Sequence, residues 1–403
     1  MKKIAATLIS CIISLTVFAQ SETNLINNAD KLREWCLLKN FDAKPYAESL
    51  NAIINANKKD ANDFAVMYGK LSLAWYRIVV SQPNKELSDW YCIPLMGDEI
   101  KNVDYDDLYK VLSAASDNNK LLDSCYLLCA YQTGDYYYNK NEFEKAVGAY
   151  NLALDCARKM YKSDYPKECF RAYKMLGFAY FELRDEKAGF MQEMAAVSLP
   201  ANYPNRQKNY YKNIYSAGST YAIFENYKKA DSCYSISEQY VMQNETDAKK
   251  AQFWERRGKA AKNINQTTQA AQFYENANQY QSDPSKKMEN LTQIAEIWDK
   301  NGNKQNYLNA IGRGVFLLES DYNNIDKYQA LMFVKCCNSE NYNTATYMDR
   351  LTAFVENNYK SNDVISLATK SYVYYAAGKY KRANYYKNEA LKLHDATYDR
   401  KNT

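Results

Sequence analysis

Between residues 121 and 395 the chain repeats one spacing of small and large apolar positions. A small residue is followed three positions later by a large one. A second small residue comes twelve after the first. Gly134, Tyr137 and Ala146 begin the series; Gly177 and Tyr180 follow, with Ala188 or Gly189 behind them. Gly218, Tyr221 and Ala230 are the third set, and Gly258, Ala261 and Ala270 the fourth. Ala295 and Trp298 give a fifth, with Tyr307 in its second small place. Ser371, Tyr374 and Ala383 give the last. The gap before that last set is twice the ordinary spacing, so a degraded unit is expected there, centred on Tyr342 and Ala345.

Intervals of three, four and seven place side chains on one face of a helix. Gly134 and Ala146 lack bulk, so two antiparallel helices can approach closely where they meet. Tyr137, Phe143 and Tyr150 fill the space beside that contact, their rings supplying the core and the two tyrosine hydroxyls reaching the solvated edge. Asn139-Lys-Asn141 forms the turn; Lys300-Asn-Gly302-Asn and Ala377-Gly378-Lys379 take the matching places. One hairpin cannot hide its own apolar face, but stacked neighbours can. The predicted fold is therefore all-α.

The pattern resembles the tetratricopeptide repeat (TPR), whose signature joins aromatic, Leu-Gly and Tyr positions to Ala and a further aromatic. Tyr173-Lys-Met-Leu176-Gly177-Phe-Ala-Tyr180 carries the first half; Trp254, Gly258, Ala270, Tyr274 and Ala277 carry both. The likeness runs from near Leu121 to Leu393. It departs from the family in spacing, roughly 37 to 43 against the usual 34 or so, and in lacking most terminal prolines. The resemblance implies a right-handed α-solenoid of stacked helix-turn-helix units. It also implies that the first helices of successive units line a concave groove.

Residues 20–120 hold helical stretches without a good copy of the motif. Asn24–Lys39 has a broad apolar face, Ala61–Val80 is a second helix, and Tyr105–Ser116 a third with Asp104 as N-cap. Ser81–Asn84 interrupts the chain and Asp89–Pro94 reads as an irregular connector. The region is read as divergent hairpins capping the array, with a separate helical domain as the alternative. Residues 121–395 form the array and 396–403 a C-terminal tail.

Composition agrees with long helices: 12 Gly and 7 Pro among 403 residues, with 39 Tyr. Lys2 and Lys3, the apolar run Ile4–Phe18 and Val17-Phe18-Ala19 read as a signal peptide over residues 1–19, placing the mature chain in the periplasm or outside the cell. Leu8-Ile9-Ser10-Cys11 resembles a lipoprotein box, the alternative being lipid anchoring at Cys11. No later stretch approaches membrane length. Without Lys2 and Lys3 the formal net charge falls from +5 to +3. No dense basic stripe marks a nucleic-acid binder.

Ten cysteines occur, nine of them after residue 19, and an odd number cannot all pair within one chain. Helical cysteines read as small buried hydrophobes, with one long-range disulfide as the alternative. The single histidine, His394, and the cysteine spacing give no metal site. No cofactor motif is present. Glu142 with Glu144, and Asp104 with Asp106 and Asp107, are acidic pairs of the sort that solvate helix ends. Nothing singles out a catalytic pair, so no catalytic residue is assigned.

Binding is the class the residues favour. The groove the resemblance implies would carry Tyr131, Asp135 and Tyr138 from the first unit, and Arg171, Lys174, Phe178 and Phe181 from the second. Lys212, Tyr215, Arg256, Lys259 and Lys262 follow from the third and fourth. Cations beside aromatics suit a peptide of acidic character. The asparagines and lysines of the family's carboxylate clamp are not found as an intact set. The expected function is an exported, non-catalytic scaffold that binds a protein or peptide. The alternative is a peptide- or glycan-sensing part of an envelope assembly, and less favoured is a helical-repeat carbohydrate-active enzyme. The partner and the oligomeric state are not legible.

Overall fold

In a computed structural model, the chain is described at residues 22–39, 41–56, 63–81, 102–162, 167–201, 203–360 and 362–402. Residues 1–19, read above as a signal peptide, Cys11 and the expected Asp89–Pro94 connector lie outside these residues. Every described element is helical; no strand occurs among them. The chain divides into two compact units, 1–220 and 221–403.

The first unit contains α1 (22–38), α2 (Lys44–Ala56), α3 (Phe64–Ser81), α4 (Tyr105–Ala115), α5 (Ser124–Asn139), α6 (Phe143–Tyr161), α7 (Phe170–Glu182) and α8 (Lys187–Val197), and most of α9 (Arg206–Ile223). The Lys44–Ala56 helix was not anticipated from the sequence. Asp104 caps α4 by accepting from the Asp107 amide, as expected. Leu25, Leu32, Leu50 and Val66 form a small core among α1–α3. The far half of α3, with Leu71 and Ile78, shares one larger core with α4–α8.

The second unit contains α10 (Tyr227–Asn244), α11 (Asp247–Asn263), α12 (Thr267–Tyr280), α13 (Pro284–Lys300), α14 (Lys304–Asp321), α15 (Lys327–Cys336), α16 (Ala345–Asn358), α17 (Val364–Ala376) and α18 (Tyr380–Asn402). The helix pairs α5–α6 and α7–α8 of the first unit, and α11–α12, α13–α14 and α17–α18 of the second, pack as hairpins. α6 on α7 and α12 on α13 stack one hairpin on the next, the repeat arrangement the spacing predicts.

The small residues sit where helices touch. A Cβ at Gly134 would lie 2.6 Å from Cδ1 of Tyr150, and one at Gly258 would lie 3.0 Å from Cε2 of Tyr274. Ala146, Ala153, Ala270 and Ala277 are wholly buried. Ser371, in the glycine place of the last hairpin, donates its hydroxyl to the Ala383 carbonyl at 2.9 Å.

The turns repeat as closely as the side chains. In six hairpins the residue seven after the first small position has positive φ: Asn141, Arg184, Glu225, Asn265, Gly302 and Gly378. The next amide reaches back to the carbonyl of the repeat aromatic or its equivalent. Glu142 donates to Tyr137, Asp185 to Tyr180 and Asn226 to Tyr221; Gln266 donates to Ala261, Asn303 to Trp298 and Lys379 to Tyr374, all at 2.8–2.9 Å. This is the Schellman ending of a helix, which satisfies carbonyls left open in the last turn.

The degraded unit is α15–α16, and its centre differs from expectation. Tyr342 lies in the connector and Ala345 opens α16, only partly buried. The connector, residues 337–344, is longer than the three or four residues of the other hairpins, and Met348, three positions after Ala345, occupies the second small place and is wholly buried. Phe333 occupies the first small place. Its ring takes the space left by Gly314, where a Cβ could not fit. Tyr307, large where Ala is the rule, is buried and donates to the Cys336 carbonyl at 3.1 Å.

Candidate functional site

The face assembled in the first unit begins in its interior. Tyr131, Asp135 and Tyr138 share one face of α5; Arg171, Lys174, Phe178 and Phe181 share one face of α7. Three of them are not surface residues. Tyr131 and Arg171 are fully buried and Asp135 is 5% exposed. The Arg171 guanidinium pairs with the Asp135 carboxylate, which also accepts the Tyr150 hydroxyl at 2.7 Å. The Arg171 guanidinium lies 4.9 Å from the centroid of the Tyr131 ring. The Tyr131 hydroxyl donates to the Glu168 carbonyl in the short turn Lys167–Cys169, which packs over it. The groove role expected of these three is thus corrected: they tie α5, α6 and α7 together. The sequence held a signal of this. Arg171 stands among Phe170, Ala172, Tyr173, Met175 and Leu176, an apolar setting in which a charge needs a buried partner.

The remaining residues of the face reach solvent. Tyr138, Lys174, Phe178, Phe181 and Tyr215 are half-buried, and Lys212 is exposed. Tyr138 packs edge-on against Phe143, with ring centroids 5.4 Å apart. Burial, and after it the nearby Lys212 ammonium, pulls Lys174 below the usual lysine value. Neither Lys174 nor Lys212 has a carboxylate partner among the described residues. The two ammonium groups repel each other, and Lys174 is in addition partly desolvated. The aromatic groups one and two turns along α7 provide apolar surface beside them.

In the second unit the cations are differently placed. Lys262 donates to Gln293 at 2.7 Å and pairs with Glu296 at 3.0 Å. Arg256 is half-buried and Lys259 exposed. The neighbouring Arg257, not anticipated, pairs with Asp231 and Glu238 and lies 4.4 Å from the Phe273 ring centroid. It is a packing element of that hairpin.

The acidic pairs have structural work. Asp106 accepts the Tyr137 hydroxyl at 2.7 Å, Asp107 pairs with Lys70 at 2.8 Å, and Glu142 pairs with Lys145 at 2.8 Å. His394 is exposed on α18 beside Asp395. Cys36, Cys125, Cys129, Cys156, Cys169, Cys233 and Cys337 are buried and Cys336 is half-buried. Burial pushes the Cys169 and Cys336 thiols up to about 12, which leaves both protonated and poorly nucleophilic near neutrality. Among the described residues no group of three His, Cys, Asp or Glu could hold a metal ion, and no helix is long and apolar enough to cross a membrane.

No protein-family model matches the chain, and no curated protein does. Solved structures of helical-repeat proteins are similar at low identity. The apo quorum sensor NprR from B. thuringiensis is 15% identical, covering 93% of this chain and 99% of its own, with a TM-score of 0.31. The apo form of RapI is 12% identical over 94% and 99%, with a TM-score of 0.37. Aspartyl phosphate phosphatase F from Bacillus subtilis is 11% identical over 93% and 94%, with a TM-score of 0.33. Likeness at this level carries nothing about ligand or activity, and the functional reading rests on the residues alone.

Proposed function

We propose that the protein is an exported, non-catalytic binding module whose first unit holds an extended peptide bearing carboxylates. Export rests on the sequence of residues 1–19. The single observation that carries the binding proposal is the unneutralised pair Lys174 and Lys212 beside Phe178, Phe181 and Tyr215. An acidic side chain placed between the ammonium groups relieves their repulsion through charge-assisted hydrogen bonds, while a neighbouring apolar side chain covers the rings. The buried Arg171–Asp135–Tyr150 network holds α5 and α7 in the register that keeps the face together.

The test is binding of fluorescent decapeptides in which Asp and Glu are exchanged for Asn and Gln around a fixed aromatic. The acidic members bind, and their amide counterparts bind at least about tenfold more weakly, as expected for loss of a charge-assisted contact. Lys174→Glu with Lys212→Glu removes the preference while leaving the helical signal intact. Equal binding of both peptide sets, or an unaltered preference in the double variant, overturns the reading.

A further inference from the structure

The second unit contains an open pocket of about 760 Å³ between α16 and the α17–α18 turn, within the range of about 300–1,000 Å³ common for small-molecule sites. Glu356 stands in its wall and is the focus of its chemistry. One carboxylate oxygen, Oε1, accepts the hydroxyls of Tyr374 and of Tyr386, the second at 2.9 Å. Arg382 donates to the Tyr374 hydroxyl at 3.0 Å and lies 3.8 Å from the same Oε1. The other oxygen, Oε2, has no partner among the described residues, and the side chain is 36% exposed. A fixed, open hydrogen-bond acceptor therefore lines the pocket.

Opposite chemistry surrounds it. Lys381 is exposed and has no partner among the described residues. Lys379 is held by Asp349 at 2.9 Å and leans on the Thr352 hydroxyl at 3.3 Å. Behind the wall Lys370, only 7% exposed, places its ammonium 5.2 Å from the Tyr386 ring centroid. The pocket thus has a positive balance despite Glu356. Tyr380, 59% exposed, offers a ring with an unbonded hydroxyl at the mouth.

We infer that this pocket binds an acidic sugar, a ring carrying both hydroxyl groups and a carboxylate. The positive balance disfavours a ligand ammonium, so the donor that meets Glu356 is a neutral hydroxyl. The ligand's carboxylate is met by Lys381 and Arg382, which simple neutral sugars do not use. The C–H face of a sugar ring covers the apolar face of Tyr380. No residue of the peptide-binding face in the first unit takes part, so the two proposals stand or fall separately.

The test is titration of the full chain at low salt with galacturonate, followed by calorimetry, with galactose and acetate as matched probes for the ring and the charge. Galacturonate binds saturably, and galactose and acetate each bind at least about tenfold more weakly, each lacking one set of contacts. Lys381→Glu and Tyr380→Ala each weaken galacturonate binding by a similar factor without altering the helical signal, and Lys174→Glu leaves it unchanged. Absence of galacturonate binding overturns the inference. Acetate binding as tight as galacturonate reduces the pocket to an anion site, and galactose binding as tight removes the role of the cations; either result also overturns it.

Discussion

Arg171 on α7 and Asp135 on α5 form an ion pair in the interior of the first unit, with both side chains sealed from solvent. Desolvating two charges offsets much of their attraction, so the pair adds little over an apolar pair of the same shape. Breaking it is another matter. Arg171→Met leaves the Asp135 carboxylate buried without its cation, and the expected loss is about 3–5 kcal/mol. Adding Asp135→Asn removes the orphaned charge and keeps an acceptor for Tyr150, so the double variant recovers a large part of that loss. Urea unfolding of the two variants checks this. Equal stability of single and double variants would contradict it.

The glycines of the repeat differ in how much room they leave. At Gly134 a Cβ would drive into the Tyr150 ring, which is itself held by its bond to Asp135. At Gly258 the contact with Tyr274 is 3.0 Å and a small shift relieves it. Alanine gains about 1 kcal/mol of helix propensity at either site, against an overpacking cost of about 1–3 kcal/mol where the ring cannot move. Gly134→Ala is therefore destabilising, and Gly258→Ala is close to neutral. Thermal melts of the two variants give the order, and the reverse order would discredit the account of the contacts.

The Schellman turns make a prediction that involves no side-chain contact. Glu225 is exposed and has a φ of 59°, a conformation costly for any residue with a Cβ. Glu225→Gly is expected to raise stability by about 1 kcal/mol. Gly302 has a φ of 71°, and a Cβ there would meet the Tyr342 hydroxyl at an ordinary 4.0 Å. Gly302→Ala is expected to lower stability by about the same amount. Opposite shifts in denaturation midpoint confirm the turn type at both places; shifts of the same sign would refute it.

Much of this architecture was legible because it rests on spacing. The Gly134–Tyr150 and Gly258–Tyr274 contacts follow from sequence intervals, and the turns fall where Asn141, Gly302 and Gly378 suggest. The turn at Glu225 could not be read that way, since its conformation is imposed by the helices it joins. The α15–α16 pair was misplaced for a related reason. A longer connector shifts Met348 into the place sought at Ala345, and the compensating space for Phe333 comes from Gly314 on another helix. In the first unit, helix periodicity places Lys174, Phe178 and Lys212 on the outside, and the structure leaves them half-buried or exposed. Asp135 and Arg171 were taken for surface groups because helix periodicity names a face without saying what packs over it. Glu356 was missed altogether, because its partners Tyr374, Tyr386 and Arg382 are distant in sequence and only the fold brings them together.

Glu356 gives the second unit an acid-sensitive contact. The Tyr374 hydroxyl bond, ahead of all other causes, holds its carboxyl below the usual value of about 4.5. Folding therefore favours the ionised form. Above about pH 4.5 the group is ionised in both states and its contribution is whole. As pH falls the unfolded chain takes up the proton first, and the contribution is lost as pH passes through the lower folded value. On the alkaline side burial, and then the bond to Glu356, pushes Tyr386 up to about 12. That hydroxyl still donates at any ordinary pH, so no loss is expected there. Glu356→Gln keeps the shape and an acceptor oxygen but does not titrate. The stability difference between wild type and Glu356→Gln should be constant from about pH 5 to 9 and shrink in more acid solution. Melting curves across that range measure it. A difference that persists unchanged after Glu356 is protonated would mean that the tyrosines respond to the shape of the side chain and not to its charge.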